Sequence, residues 1–324
     1  MFRTLLGSMA ITTLLATTSV FAQDYPTRPI TMTMPFSAGG PGDTLARVLA
    51  QTMTESLKQQ VLIENAVGAG GTIGTAKVAR SDPDGYTLLI THISHATNPA
   101  LYRKLSYDTL TAFEPVGLVA ELPMTLVSRK DFAPANFADL LAYVKANKDQ
   151  VTYAHAGIGS ASHLCGLLFL KAIETPITTV PYKGTGPAMN DLLGGQVDFM
   201  CDQTANTLSH IKADKIKVFG VTSKERIAQL PDTPTLNEAG LPGFELNIWY
   251  GLYAPKGTPR PVIDKLSATL QGVLKDDKLK ARFAQFGAEP VSSDRAQPEP
   301  LRAHVKAEID KWGPIIKKAG VYAD

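Results

Sequence analysis

The stretch Ile30 to Leu57 sets the first constraint on the fold. Ile30-Thr31-Met32-Thr33-Met34 alternates apolar and polar side chains as a strand does, and Leu45, Val48, Leu49, Met53 and Leu57 recur at helical spacing. Between them lies Pro35-Phe36-Ser37-Ala38-Gly39-Gly40-Pro41-Gly42-Asp43, a glycine-rich turn from a strand's end into a helix's start. Free backbone N–H groups cluster at such a turn, the helix dipole points its positive end there, and glycines admit a ligand close to the main chain. The place can hold an anion without a Lys or Arg. A tight turn with no ligand is the alternative from this stretch alone.

The same grammar continues. Val61 to Glu64 is a second strand, followed by a loop holding Gly68, Gly70, Gly71 and Gly74. Asp82-Pro83-Asp84-Gly85 is a turn, and Tyr86 to Ile90 a third strand, so the order predicts an α/β unit with parallel strands. Pro115 to Val127 is extended, with a break expected at Pro123. A second series then runs from a helix at Phe137 to Lys148 through strands at Val151 to Ala156, Ile177 to Tyr182, Val197 to Asp202 and Ile216 to Thr222. In it, Gly157-Ile158-Gly159-Ser160-Ala161-Ser162-His163 is another glycine-rich turn into a helix, and Lys183 to Pro187 opens a further one. Glu245 to Ala254 reads as a long strand, and helices follow from Pro259, interrupted near Gly287 to Ser293. Helices without strands of their own must pack on something already built, and the first sheet is the candidate. Two lobes joined by two crossovers follow, with residues 23–125 and 247–324 in the first and 126–246 in the second. Both glycine-rich turns lie at the carboxyl ends of strands, where open α/β sheets bind ligands, so facing lobes would clamp a small molecule by hinge closure.

Residues 1–22 read as a secretory signal peptide outside this fold: Arg3 supplies the positive start, Leu5 to Val20 carries no charge, and Val20-Phe21-Ala22 fits a cleavage site. No later stretch reaches the roughly 20 apolar residues that span a bilayer, so a soluble, exported protein is expected. A formal net charge of +2 argues against a nucleic-acid partner. Cys165 and Cys201 could be bridged in an oxidising compartment; two buried thiols are the alternative.

Several motifs together resemble one family. Tyr25-Pro26-Thr27-Arg28-Pro29-Ile30, the Pro35 to Asp43 turn, Glu64-Asn65 with Gly68-Ala69-Gly70-Gly71, Pro83-Asp84-Gly85-Tyr86-Thr87 and Pro181-Tyr182-Lys183-Gly184 are similar to the Bug family of periplasmic solute-binding proteins, receptors of tripartite tricarboxylate transporters. Leu193-Gly194-Gly195-Gln196-Val197-Asp198 and Trp249-Tyr250-Gly251-Leu252 continue the match across nearly the whole mature chain. The resemblance implies a two-lobed, type II periplasmic-binding-protein fold and a small carboxylate in the cleft: a di- or tricarboxylate, an acidic amino acid or an aromatic acid. It also implies membrane permease subunits as partners, a monomer, and no cofactor. Carried onto this chain, backbone groups at Ala38, Gly39 and Gly40 face the anion and Phe36 packs on the ligand, while Asp43 orders its own loop by accepting N–H bonds in the helix's first turn. On the second loop, Gly157 and Gly159 flank the ligand, and Ser160, Ser162 and His163 are donors. Ser94, near the third strand's end, is a further donor, and Asp202 as a carboxylate would favour a ligand bearing an amine.

Competing signals are weaker. Gly68-Ala69-Gly70-Gly71-Thr72-Ile73-Gly74 has the wrong glycine spacing for a dinucleotide fingerprint. Ser160 or Cys165 beside His163 lacks the nucleophile elbow and a third orienting group, so no catalytic residue is assigned. His92, His95, His163 and Asp202 lack zinc-ligand spacing. An exported enzyme acting on a small acid, or a ligand-sensing subunit of a signalling system, are the other functions this pattern admits.

Overall fold

The computed structural model describes residues 25–323; the signal-peptide segment lies outside the described residues. The first half of the chain gives β1 (Ile30–Met34), α1 (Pro41–Leu57), β2 (Val61–Asn65), α2 (Thr72–Ala79), β3 (Thr87–His92), α3 (Ser94–Leu101) and a long strand β4 (Phe113–Arg129). Next come α4 (Phe137–Ala146), β5 (Thr152–His155), α5 (Ala161–Ala172), β6 (Thr178–Pro181), α6 (Thr185–Leu193), β7 (Phe199–Gln203), α7 (Thr204–Lys212), β8 (Ile216–Val221) and α8 (Leu236–Ala239). The chain closes with β9 (Asn247–Pro255), α9 (Arg260–Val273), α10 (Asp277–Gln285), β10 (Glu289–Pro290) and α11 (Pro298–Ala319).

The strands form one path, β2-β1-β3-β9-β4-β7-β5-β6, with β8 and β10 also on β4. Its two ends are separate parallel units, β2-β1-β3 and β7-β5-β6, each built by strand–helix alternation. β4 joins them. Its first part runs antiparallel to β9 as far as Pro123 opposite Asn247, and from Met124 onward it pairs with β7 and β8 instead. Pro123 therefore does not break the strand as its sequence suggests. It sits where β4 changes partners, so its missing N–H removes no ladder bond. The next residue restores the ladder, with Met124 N–H donating to Thr222 Oγ1 at 2.8 Å and Thr222 N–H to Met124 O at 2.9 Å.

The late helices return to the first unit: α9 and α11 pack on β4, α10 on α1, and α11 along α3. The Trp249 indole on β9 donates to Glu308 Oε2 of α11 at 3.1 Å, pinning that helix to the crossover. Within the second unit, Cys165 of α5 and Cys201 of β7 are joined by a disulfide, with Cα atoms 6.1 Å apart. Among the described residues no helix is long and apolar enough to cross a membrane.

Candidate functional site

Where the two parallel units meet, a narrow cavity of about 20 Å³ is lined by Phe36, Ser37, Gly40, Pro41 and Gly42 from the first turn and by Ala156, Ser160, Ala161 and Ser162 from the second. His92, Thr185, Asp202, Gln203 and Tyr250 complete it. The volume exceeds the roughly 10–15 Å³ that one water requires. A wider groove of about 260 Å³ adjoins it, shares Phe36 and Ala156, and is lined by Gly70, Gly157, Ile158 and Lys183 among others.

The lining follows from helix ends. Gly40 and Ser160 are the N-caps of α1 and α5, Thr185 is the first residue of α6, and Gln203 is the N-cap of α7. Each helix start leaves backbone N–H groups without an intrahelical partner, and each dipole presents its positive end. No Lys or Arg lines the cavity. Four helix N-termini therefore turn their positive dipole ends to the cavity without a cationic side chain beside them.

Of the residues expected to bind, Phe36, Gly40, Ser160, Ser162 and Asp202 line this cavity. Gly157 lines the outer groove. Ala38, Gly39, Asp43, Ser94, Gly159 and His163 line neither. The reasons are hydrogen bonds within the loops. Gly39 N–H does not face an anion; it donates to Asp43 Oδ2 at 3.0 Å. The same carboxylate accepts Arg47 Nε at 2.9 Å and Asn65 Nδ2 at 3.0 Å, and Asn65 Nδ2 also donates to Phe36 O at 2.9 Å. Asp43 thus orders the loop from upstream, through Gly39, rather than through the first turn of α1. Burial works to raise its carboxyl, but the bonds from Arg47, Gly39 and Asn65 prevail and hold it below the usual carboxylate value. Asp43→Ala is expected to cost about 1.5–3 kcal/mol, the range for hydrogen bonds to a charged group, read as a lower urea midpoint with unchanged slope. A midpoint equal to the parent's would remove Asp43 as the organiser of this loop.

His163 likewise works behind its loop. Its Nδ1 accepts Gly159 N–H at 3.3 Å, and its ring lies 4.9 Å from His155, whose Nδ1 accepts Gly157 N–H at 3.2 Å. Burial lowers both imidazoles to about 4, so both are neutral near pH 7 and can accept these bonds. Ser94, expected as a donor, instead gives its N–H to His92 Nδ1 at 3.2 Å. His92 takes its place in the cavity, its ring stacked on Phe36 at 4.5 Å. Burial lowers His92 to about 3.

Ser160 and Ser162 are both buried, and each already accepts one backbone N–H, from His163 at 3.2 Å and from Ala156 at 2.8 Å respectively. Their hydroxyls lie 3.2 Å apart. One hydroxyl proton satisfies the other oxygen, which leaves the second proton for the cavity. Asp202, fully buried, accepts Gln203 N–H at 2.8 Å and Asn206 Nδ2 at 2.5 Å. Burial raises its carboxyl to about 7 despite these bonds, so it holds its proton well above the pH at which the plain carboxylate its sequence suggests would lose it.

Sequence reasoning placed the loops Phe36 to Asp43 and Gly157 to His163 on the ligand without singling out Ser37, Pro41, Gly42 and Ala161; it did not assign Ala156, Thr185, Gln203 and Tyr250, and weighed His92 without assigning it. Thr185 had a local signal, since Gly184 precedes a helix start as Gly40 does. Tyr250 had none: it reaches the cavity from mid-strand β9 and donates to Gln203 Oε1 at 2.8 Å across 47 residues of sequence. Among the described residues no group of three or more His, Cys, Asp or Glu could hold a metal.

Comparison with known proteins places this geometry. A family model for the tripartite tricarboxylate transporter family receptor matches residues 45–321. The structure of the periplasmic binding protein BugD is similar at 52% identity with a TM-score of 0.90, over 92% of this chain and 99% of that one. MatC from Rhodopseudomonas palustris, solved with bound malate, is 39% identical with a TM-score of 0.87, over 90% and 100% of the chains. A second R. palustris protein, solved with adipate, is 35% identical with a TM-score of 0.88, over 92% and 99%. The first of these is a periplasmic binding protein, and the matching family model describes a receptor rather than an enzyme. With the family model covering most of its length, the chain belongs to the tripartite tricarboxylate transporter receptor family, the Bug-type periplasmic solute-binding receptors.

Proposed function

We propose that this protein captures a small organic carboxylate in the periplasm, between its two lobes, and delivers it to a tripartite tricarboxylate transporter permease. The observation that carries the reading is the convergence of the α1, α5, α6 and α7 N-termini on a cavity without a cationic side chain. That arrangement suits an anion held by backbone N–H groups and hydroxyls. Phe36 and Tyr250 supply apolar walls, and the spare Ser160–Ser162 proton a donor. The relatives solved with malate and adipate support the carboxylate class. The lobe boundaries belong to the proposal: residues 23–125 with 247–324 move against 126–246 about the β4 and β9 crossovers. A cavity of about 20 Å³ does not admit a four-carbon acid, so the ligand enters as the lobes part.

A thermal-shift screen of residues 23–324 against small carboxylates, amino acids and aromatic acids tests this. An acid at about 100 times its Kd adds about 2.7 kcal/mol of stability. One or more acids should raise Tm while their amides do not. A shift by sugars, cations or nucleotides alone would sink the anion cradle.

A further inference from the structure

The segment Gly68-Ala69-Gly70-Gly71 does not reach the inner cavity, yet it borders the outer groove. A Cβ on Gly70 would lie 2.1 Å from Ile158 O, 3.2 Å from its carbonyl carbon and 2.9 Å from Tyr102 Oη. Gly70 belongs to the first lobe and Ile158 to the turn of the second. The nearest atom is main chain, so it cannot swing aside as a side-chain tip would. Nor is the turn free to shift. Gly157 and Gly159 are tied to His155 and His163, Ile158 O accepts the Tyr102 hydroxyl at 3.3 Å, and a Cβ on Gly159 would lie 2.7 Å from Asn98 Oδ1. A parallel approach occurs at the cavity, where a Cβ on Gly184 would lie 1.9 Å from Ser37 Oγ.

We propose that Gly70 is a positioning residue for ligand capture: the absence of a side chain there lets the first lobe seat against the Ile158 carbonyl, and any side chain at position 70 holds the cleft ajar. The inference rests on the receptor reading in taking the lobes to close as bodies, but not on which acid binds. It gives the glycine segment a role that its failed dinucleotide spacing left open.

The test is a cross-link across the closed cleft in ligand-free protein. Gly186 lies within α6, and a Cβ there would be 3.8 Å from Ser37 Oγ, close enough for Ser37→Cys with Gly186→Cys to bridge when the lobes close. The native cysteines are already paired and buried. Adding Gly70→Ala should slow cross-linking by about tenfold or more, as overpacking a tight contact does. Gly159→Ala, loading the adjoining contact of the same turn with Asn98 and Leu101 of the first lobe, should also slow it. Gly195→Ala is the control: its φ is +73 with nothing within 4 Å, so it carries the backbone strain of a left-handed alanine without the clash. It should leave the rate unchanged. Equal rates for Gly70→Ala and its parent, or no cross-link in any variant, would overturn the proposal. Failure of every acid in the thermal-shift screen would instead overturn the receptor reading and leave these rates as they are.

Discussion

Replacing Asp202 by Asn is expected to make the protein more stable than its parent above neutral pH and to remove the fall that Asp202 imposes on stability between pH 4 and pH 7. Burial raises the Asp202 carboxyl from 3.8 to about 7 in the folded chain. Across that window the native state binds the proton and the unfolded state does not, so stability falls as pH rises. The contribution is complete below the unfolded value and is lost as pH passes the folded one. Each pH unit within the window is worth about 1.4 kcal/mol, so the whole is on the order of 4 kcal/mol. Asn keeps the shape of the neutral acid and carries no charge. Thermal melts of parent and variant should converge near pH 4 and separate towards pH 8. Parallel curves would show that Asp202 titrates as an ordinary carboxyl. His92, lowered to about 3, and His155 and His163, lowered to about 4, are protonated in the unfolded chain below about pH 6.5 but not in the folded one, so they make stability rise with pH in parent and variant alike, and Asp202 is read from the difference between the two curves. Asp43, held below the usual value, titrates on the acid side.

The same carboxyl would discriminate between ligands. An acid without an amine favours protonated Asp202, and its affinity should weaken as pH rises through about 7. An amino acid whose ammonium meets Asp202 should do the reverse. Isothermal titration at pH 6 and pH 8 separates the two, and both trends should vanish in Asp202→Asn.

Removing the disulfide with Cys165→Ala and Cys201→Ala should lower stability by about 3–4 kcal/mol, the chain-entropy value for a loop of this length. The bridge spans 36 residues and ties α5 to β7. Both elements end at the cavity, α5 starting at its Ser160 cap and β7 ending at Asp202 and Gln203. Loss of the bridge therefore loosens the second lobe's side of the cradle as well as destabilising the fold. The urea midpoint of the double variant should fall, and the parent under reductant should fall with it. An unchanged midpoint in both would mean that packing of α5 on β7 alone holds the lobe.

The sequence by itself determined what depends on neighbours in the chain. Alternating strands and helices placed nearly every element, because periods of 2 and 3.6 residues are local. Glycine beside a helix start marked Gly40 and, through Ser160, the α5 end, because an exposed helix N-terminus is made by a few consecutive residues. That Asp43 orders its own loop was legible for the same reason, although its partners Gly39, Arg47 and Asn65 were not, and the pairing of the two cysteines stayed open. Tertiary structure alone decided the rest. It carried β4 through Pro123 by changing the strand's partners there. It spent the Gly39 N–H on Asp43, turned His163 behind its loop, and put His92 where Ser94 was expected. Tyr250 and Gln203, 47 residues apart, met across the cleft, and Asp202 was buried deeply enough to hold a proton. Each of these depends on which groups the folded chain brings close enough to exclude water or compete for a hydrogen bond, and no pattern of residue types encodes that.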